Sequence, residues 1–563
     1  MKIKGSGLIK FLLGVAGKIQ KSKLDKATKN CKKSQEKTLR GILSYAKDSE
    51  WGQAHNFAEI LEAKTFEDLV TLLQKNIPVQ DYEDLRSFVE RHKKGEENVL
   101  FPGKPMMYAT TSGTTKEPKW IPITNEYYKN VYSKMTKLWL YSFQMHRPKV
   151  YENKCTSIVG KAIEGSAPDG TVYGSVSGVT RRDCPEFIKG LYAETADVYA
   201  ISDYKARYYT IMRFGIEQDV HLLVTANPST IVEMQNNANE FFDSYVTDIE
   251  NGTLNKDLKI EPELRAKIEP LFSPNPVRAA ELRALKEKHG DKILPKHYWP
   301  NMQVLTTWKC GNTQVYLNKF KDSFPKGMLH QEFGYFASEC RAGLVMNGAD
   351  DTVLFPHMHY FEFISADELD NPNPKIYQLH ELEVGKRYSM LVTTYAGLYR
   401  YNMNDLVEVT GFYKSTPTIQ FIQKINGIIT MTGEKLHESQ FIGAVKKAEK
   451  QSNMSTKFFV GFANLKKSAY QFYYEFMDQN ITQNQAEEFT KLVDKNLKEI
   501  NCEYEAKRDS FRLKDPETFL LQKESFETFK ARCIDMGYRD GQFKLNLLMQ
   551  DEKRQAMFNE LVK

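Results

Sequence analysis

A chain of 563 residues is too long for one simple core, which predicts at least two domains. With 41% hydrophobic, 12% aromatic and 27% charged residues it has the composition of a globular protein, which excludes a chain built of membrane spans or low-complexity tracts. Its 78 basic and 72 acidic side chains are spread along the chain and leave a net charge of only +6, which argues against a nucleic-acid partner and suits small anionic substrates.

At the start, Lys2 and Lys4 precede an apolar run through Leu12 and Val15. Lys10 interrupts the run and no small-residue cleavage pattern follows, so residues 1–20 read as an amphipathic first helix rather than a targeting signal. Contact with a membrane surface is the alternative reading. Residues 2–94 keep apolar positions at three- and four-residue spacings, as in Leu39, Ile42, Leu43 and Ala46, which predicts a helical cap. Beyond it, β-prone runs alternate with helical runs, the pattern of an α/β domain with crossover connections. Val220–Thr225 reads as a strand, 228–249 as a helix introduced by Pro228 and Ser229, and 302–307 as a further strand.

Interleaving continues to about Thr410, and the organisation changes after Gly411. Residues 421–425 read as a strand, and 438–450 as a helix with Phe441, Ile442, Val445 and Ala448 on one face. Residues 457–463 and 469–476 read as a hairpin, 482–500 as a helix, 519–522 as a strand and 525–536 as a final helix. The predicted fold class is therefore α/β: a large N-terminal domain of mixed sheets and helices at 1–424, mainly helical over 1–94, and a smaller α+β domain at 425–563. No repeat period appears.

Four segments carry chemistry. The first, Tyr108 to Lys119, contains Thr110-Thr111-Ser112-Gly113-Thr114-Thr115, whose backbone amides and hydroxyls suit phosphate, with positive charge from Lys119. It is not a nucleoside-triphosphatase P-loop, which needs Gly-Lys followed directly by Ser or Thr; a hydroxyl-rich surface turn is the alternative. The second is Phe333-Gly334-Tyr335-Phe336-Ala337-Ser338-Glu339, with a carboxylate suited to Mg²⁺ or, alternatively, to capping a helix. In the third, Tyr399 to Asp405, the aspartate can accept two hydrogen bonds from adjacent ribose hydroxyls or simply end a strand. The fourth runs from Lys424 through Gly427, Gly433-Glu434-Lys435 and on to Glu438.

Other polar features carry less. The seven cysteines, at 31, 155, 184, 310, 340, 502 and 533, are an odd number with no Cys-x-x-Cys pair, which predicts reduced thiols and a cytoplasmic protein. Cys310 and Cys340 have no histidine partner in sequence that would make either a nucleophile. His357 and His359 alternate as on a strand, without a third ligand at metal-site spacing.

Taken in order, the four segments resemble those of the acyl-adenylate-forming superfamily, and more specifically its Gretchen Hagen three branch of auxin-responsive acyl acid amido synthetases. The resemblance covers nearly the whole chain and includes Trp308 to Gly311, Tyr360 to Phe363, and Gly541-Gln542-Phe543-Lys544. Three positions depart from it: Lys116-Glu117 and Asn404 replace glycines, and Leu545-Asn546 follows Lys544. Asn can still reach the left-handed backbone region that glycine favours.

The resemblance implies a fold in which a small mobile domain closes over the larger one, swinging about 424–427. It implies ATP and Mg²⁺ as cofactors, held around Thr111, Ser112, Gly113, Thr114, Thr115, Tyr335, Ala337, Ser338, Asp405 and Lys424. Ser112 to Thr115 would hold the β- and γ-phosphates, Tyr335 would lie against adenine, and Asp405 would fix the ribose. Glu339 would ligate the metal, and Lys119 and Lys544 would supply catalytic positive charge. The implied reaction joins a carboxylic acid to an amine, in the first instance an amino acid, in a monomeric enzyme with no nucleic-acid partner and no membrane insertion. An acyl-CoA ligase and a non-catalytic nucleotide- or acyl-binding protein are the alternatives.

Overall fold

The computed structural model describes residues 6–111, 118–310, 314–346, 348, 350–369, 371–425, 428–525, 527–529, 532 and 547–563. It is a mixed α/β protein whose chain divides into two compact units: Met1–Thr110 with Trp120–Gln423, and Thr111–Lys119 with Lys424–Lys563.

The larger unit begins with six helices between Ser6 and Lys93. Their apolar stripes, including Leu39, Ile42, Leu43 and Ala46, are fully buried in the unit's largest core. A parallel sheet follows in the order Lys154–Ile158, Val220–Thr225, Val304–Thr307 and Leu329–Glu332. Its inner strands are buried almost continuously, as a parallel sheet covered on both faces requires. The helix expected over 228–249 is two helices, Ser229–Glu240 and Phe242–Asn251. Phe241 leaves the helical region, with φ −107° and ψ 16°. Phe241 meets the Tyr209 ring edge-on at 5.5 Å, and its neighbour Phe242 is buried in the same core.

A second, largely antiparallel sheet has eight strands in the order Ile376–Gln378, Tyr360–Ser365, Arg387–Thr393, Tyr401–Tyr413, Thr416–Lys424, Thr352–Leu354, Arg341–Val345 and Tyr335–Phe336. The strand expected at 421–425 is thus the end of a longer one that belongs to this sheet.

In the smaller unit the hairpin Thr456–Asn464 and Ala469–Phe476 forms the centre of a four-stranded sheet, flanked in parallel by Glu517–Leu520 and Leu548–Met549. Phe458, Val460 and Phe462 face one apolar cluster and Phe459 and Ala463 another, so the period-two alternation places a core on each side. Glu438–Ser452 and Gln483–Ile500 pack on one face, the latter started by a Thr482 capping box. The helices Cys502–Asp509 and Glu552–Asn559 and the strand Leu548–Met549 had no counterpart in the sequence reading. Residues 525, 527–529 and 532 are helical, and the rest of the helix expected at 525–536 lies outside the described residues.

Candidate active site

The edge strand Leu329–Glu332 of the parallel sheet leads directly into the aromatic-Ser-Glu segment. The Phe333 N–H still donates to the Thr307 carbonyl at 2.9 Å, and then Gly334 turns the chain at φ +101°. A Cβ here would stand 2.7 Å from the Gly343 carbonyl oxygen, so both the dihedral and the space demand glycine. The chain re-enters as Tyr335–Phe336, the edge of the eight-stranded sheet. The Ala337 N–H donates to the Cys340 carbonyl at 2.9 Å, closing a tight turn. Ala337 and Ser338 are half-buried in this turn and Glu339 is buried.

Asp405 reaches the same place from the middle of that sheet. Pairing between Arg387–Thr393 and Tyr401–Tyr413 slips between Ser389, which faces Leu406, and Leu391, which faces Asn402, so the longer strand bulges. Asn404 sits in the bulge at φ +52°, and its N–H donates to the Asn402 side chain at 2.9 Å. Asn can occupy this left-handed position, which glycine favours. Upstream, the buried Arg400 guanidinium pairs with Glu362 at 2.9 Å and donates to the Ile77 carbonyl at 2.6 Å, which ties the Tyr399–Asp405 segment to the Tyr360–Phe363 segment.

The two segments meet. The Tyr335 hydroxyl donates to the Asp405 carboxylate, across 70 residues of sequence. Tyr335 lies four strands from Asp405 in the sheet order, which in a flat sheet would be about 19 Å, so the sheet curls back on itself. Burial, and then the charge of Asp405, hold the Tyr335 hydroxyl well above the usual phenol range, and Glu339 acts in the same sense. Burial followed by the charge of Glu339 does the same to Tyr401. Tyr335, Glu339, Tyr401 and Asp405 thus form one electrostatic cluster. Tyr335, expected against adenine, is itself buried, with its hydroxyl committed to the aspartate.

Beside this cluster stands Glu332, which the sequence reading passed over. It accepts hydrogen bonds from the backbone N–H groups of Lys309 and Gly334, and burial pushes its carboxyl up to about 7. Burial, and next Glu332 itself, raise the Cys310 thiol, which makes a thiolate nucleophile still less available. The Trp308 indole donates to the Gly334 carbonyl at 3.2 Å. A half-buried aromatic group adjoins it: Phe333 lies edge-on to Trp308, Trp139 and Phe336 at 6.1, 5.1 and 5.0 Å. The Arg341 guanidinium rests over Tyr132 at 3.9 Å and Phe336 at 4.9 Å. Glu332 ends a strand whose first two residues are only half-buried, so no pattern in the sequence marks it.

Other expected residues are placed as follows. Thr111 ends the strand Met107–Thr111 and Lys119 begins its neighbour Lys119–Ile123. Ser112, Gly113, Thr114 and Thr115 lie outside the described residues, as does Lys544. Lys424 closes the strand Thr416–Lys424. Within the second unit, burial pushes the His437 imidazole down to about 4, and the charges of Lys119, Lys435 and Lys424 push the same way.

His357 and His359 do not lie on a strand. They occupy the turn and the residue before Tyr360–Ser365, and burial pushes both down to about 4. Among the described residues no group of three or more His, Cys, Asp or Glu side chains could hold a metal ion. A single hard carboxylate such as Glu339 fits Mg²⁺, which takes most of its shell from water and phosphate oxygens.

Comparison with known proteins identifies the family. The GH3 family N-terminal domain matches residues 20–329, the GH3 family central domain 352–424, and the GH3 family C-terminal domain 439–553. The chain belongs to the GH3 family. Among GH3 relatives, an indole-3-acetic acid-amido synthetase of Arabidopsis thaliana is 24% identical over 93% of this chain and 90% of its own. A jasmonoyl–L-amino acid synthetase of Nicotiana attenuata is 26% identical over 75% of this chain and 74% of its own. A solved GH3.15 acyl acid amido synthetase superposes with a TM-score of 0.63 at 21% identity, covering 96% of this chain and 95% of that one, so the GH3 fold extends over nearly the whole protein.

Proposed function

We propose that the protein is an adenylate-forming ligase: it activates a carboxylic acid with ATP as the acyl-adenylate, releasing pyrophosphate, and transfers the acyl group to an amine, an amino acid in the first instance, releasing AMP. One observation carries this reading. The aromatic-Ser-Glu segment and the Tyr399–Asp405 segment, far apart in sequence, meet through the Tyr335–Asp405 hydrogen bond with Glu339 beside it. The relatives' names support the same reading: an indole-3-acetic acid-amido synthetase, a jasmonoyl–L-amino acid synthetase and an acyl acid amido synthetase.

In this reading the chain's own residues act mainly by electrostatic positioning, since the attacking carboxylate and the triphosphate repel each other. Asp405 accepts the ribose hydroxyls, and Tyr335 lies against adenine while its hydroxyl fixes the orientation of that carboxylate. Glu339 would hold Mg²⁺, which would supply charge neutralisation for the leaving pyrophosphate. Ser112 to Thr115 hold the β- and γ-phosphates and Lys119 adds positive charge; Thr111, Ala337, Ser338 and Lys424 are assigned to nucleotide binding, and Lys544 to the late positive charge. The half-buried aromatics Trp139, Trp308, Phe333 and Phe336 flank the acyl group, which favours acids with an apolar body. The functional domains are 1–424 and 425–563. No disulfide links the described cysteines, which fits a reducing compartment such as the cytoplasm.

The test is pyrophosphate release across a set of carboxylic acids, with and without amino acids. An acid-dependent signal that Glu339→Gln abolishes, with amide as the product, is expected. ATP binding with no pyrophosphate release for any acid would leave a binding protein, and a thioester formed with CoA would make it an acyl-CoA ligase.

A further inference from the structure

The first helix, Ser6–Ala27, has two apolar faces. Ile9, Leu13, Leu24 and Ala27 are buried. On this side the helix lies against Ser133–His146, close enough that a Cβ on Gly17 would overlap Tyr141, and the Lys10 carbonyl accepts from Gln144 at 3.2 Å. The other face carries Leu8, Phe11, Leu12, Val15 and Ile19, exposed by 64, 65, 40, 44 and 50%. At about 100° per residue these five share an arc of roughly 100°. They are five of the fifteen large apolar side chains exposed among the described residues, gathered on half of one helix.

The same exposed surface turns basic toward its C-terminal end. Lys18 and Lys23 border the stripe and Lys26 continues it, all exposed and with no carboxylate partner among the described residues. Asp25, the helix's one acid, is engaged by Lys21 and Tyr413. The positive field extends to Ser133–His146, where burial and then the charge of Lys23 weaken the hold of Lys134 on its proton, opposed by Glu126. In the sequence Lys2 and Lys4 precede the helix.

We propose that this face of the first helix docks on an anionic lipid surface, lying along it rather than crossing it. No described helix is long and apolar enough to span a membrane. The stripe from Leu8 to Ile19 is about 17 Å long and narrow, so it seats five side chains at the acyl boundary of a flat surface. The lysines at its border lay their stems along that boundary and reach the lipid phosphates with their ammonium groups. Apolar side chains alone would suit any partner; their continuity with three unpaired lysines selects a negatively charged one, and the shallow, convex form of a single helix selects a deformable plane.

The experiment is co-sedimentation of the full chain with phosphatidylcholine vesicles, with and without roughly one-third phosphatidylserine. The wild-type protein is expected to favour the anionic vesicles. Phe11→Asp with Ile19→Asp should lower partitioning at least about tenfold. Lys18→Glu with Lys23→Glu should remove the preference for phosphatidylserine. Both variants should keep the wild-type melting midpoint and rate of pyrophosphate release, since none of the four residues touches the active-site cluster. Absence of partitioning, or equal partitioning of all three proteins, overturns the proposal. So does a lipid-free dimer that Phe11→Asp with Ile19→Asp converts to monomer, which would make a second copy of the chain the occupant.

Discussion

Two buried acids, one in each unit, show what a motif residue can be for. Glu434 in the smaller unit is fully buried and accepts four hydrogen bonds: from the N–H groups of Met431 and Thr432 at 3.0 and 2.8 Å, the Thr432 hydroxyl at 2.8 Å and the Tyr470 hydroxyl at 2.9 Å. Three of the four come from its own turn. Asp405 in the larger unit follows a left-handed bulge and accepts instead from Tyr335, a residue of a different motif. A carboxylate satisfied by its own turn secures a fold locally, whereas one that joins distant segments marks where a site converges.

That contrast can be broken most directly by mutating both. Asp405→Ala is expected to lower pyrophosphate exchange by about 100-fold or more while the protein stays folded. Glu434→Ala leaves four donors without their acceptor. It should cost about 3 kcal/mol or more in unfolding free energy, with exchange per folded molecule little changed. If both variants lost nucleotide affinity equally in calorimetry, the distinction would fail.

Within the larger unit, Arg400 and Glu362 frame Asp405 without belonging to the cluster. Glu362→Gln leaves a buried guanidinium without its charge partner and should destabilise by about 3–5 kcal/mol, read from urea unfolding. A loss below about 1 kcal/mol would mean the pair is solvated in solution.

The two units should also differ in their response to acid. His92, His357 and His359 in the larger unit are pushed down to about 4 and His330 to about 3, chiefly by burial, whereas His437 is alone in the smaller one. Unfolded histidines take up protons below about 6.5 while the folded ones resist until about 4, so stability falls as pH falls through that window. Glu332 opposes this, because its folded carboxyl near 7 binds protons that an unfolded one releases above about 4.5, favouring folding at lower pH. Glu164 and Glu194, raised chiefly by burial, and His221, where burial lowers the imidazole but Asp219 raises it further, act in the same sense as Glu332; the four strongly lowered histidines dominate and leave the larger unit the more acid-sensitive. Hydrogen exchange at pH 7 and pH 5 should show protection falling further there than in the smaller unit; equal loss in both would contradict it.

The smallest expected effect concerns Asn404. Asn404→Gly should melt within about 0.5 kcal/mol of wild type, and Asn404→Val should cost about 1–2 kcal/mol because a β-branched residue resists positive φ. Indistinguishable midpoints for the two would show that the bulge relaxes.

Much of the smaller unit's core was legible in the sequence, because a hairpin with period-two alternation and a helix with a Thr482 capping box are local patterns. Less was legible where neighbours decide. The helix breaks at Phe241, which meets Tyr209 of another helix, and the strand Thr416–Lys424 is assigned to the larger sheet by partners such as Thr352–Leu354. Cys502–Asp509 was missed because its eight residues are too few to show a clear period beside the longer helix before it. Glu332 was missed because an acid's burial is invisible without the fold around it.

By itself the sequence determined the alternation of helices and strands, the order of the four chemical segments and a residue at Asn404 able to take positive φ, since each depends on residues close together in the chain. Tertiary structure alone decided that Tyr335 serves Asp405, that Arg400 is held by Glu362, and that Glu332 carries a raised pKa. These depend on a sheet curled enough to bring its edge back to its middle, and on burial, which makes a hydrogen bond or a charge between distant segments strong enough to matter.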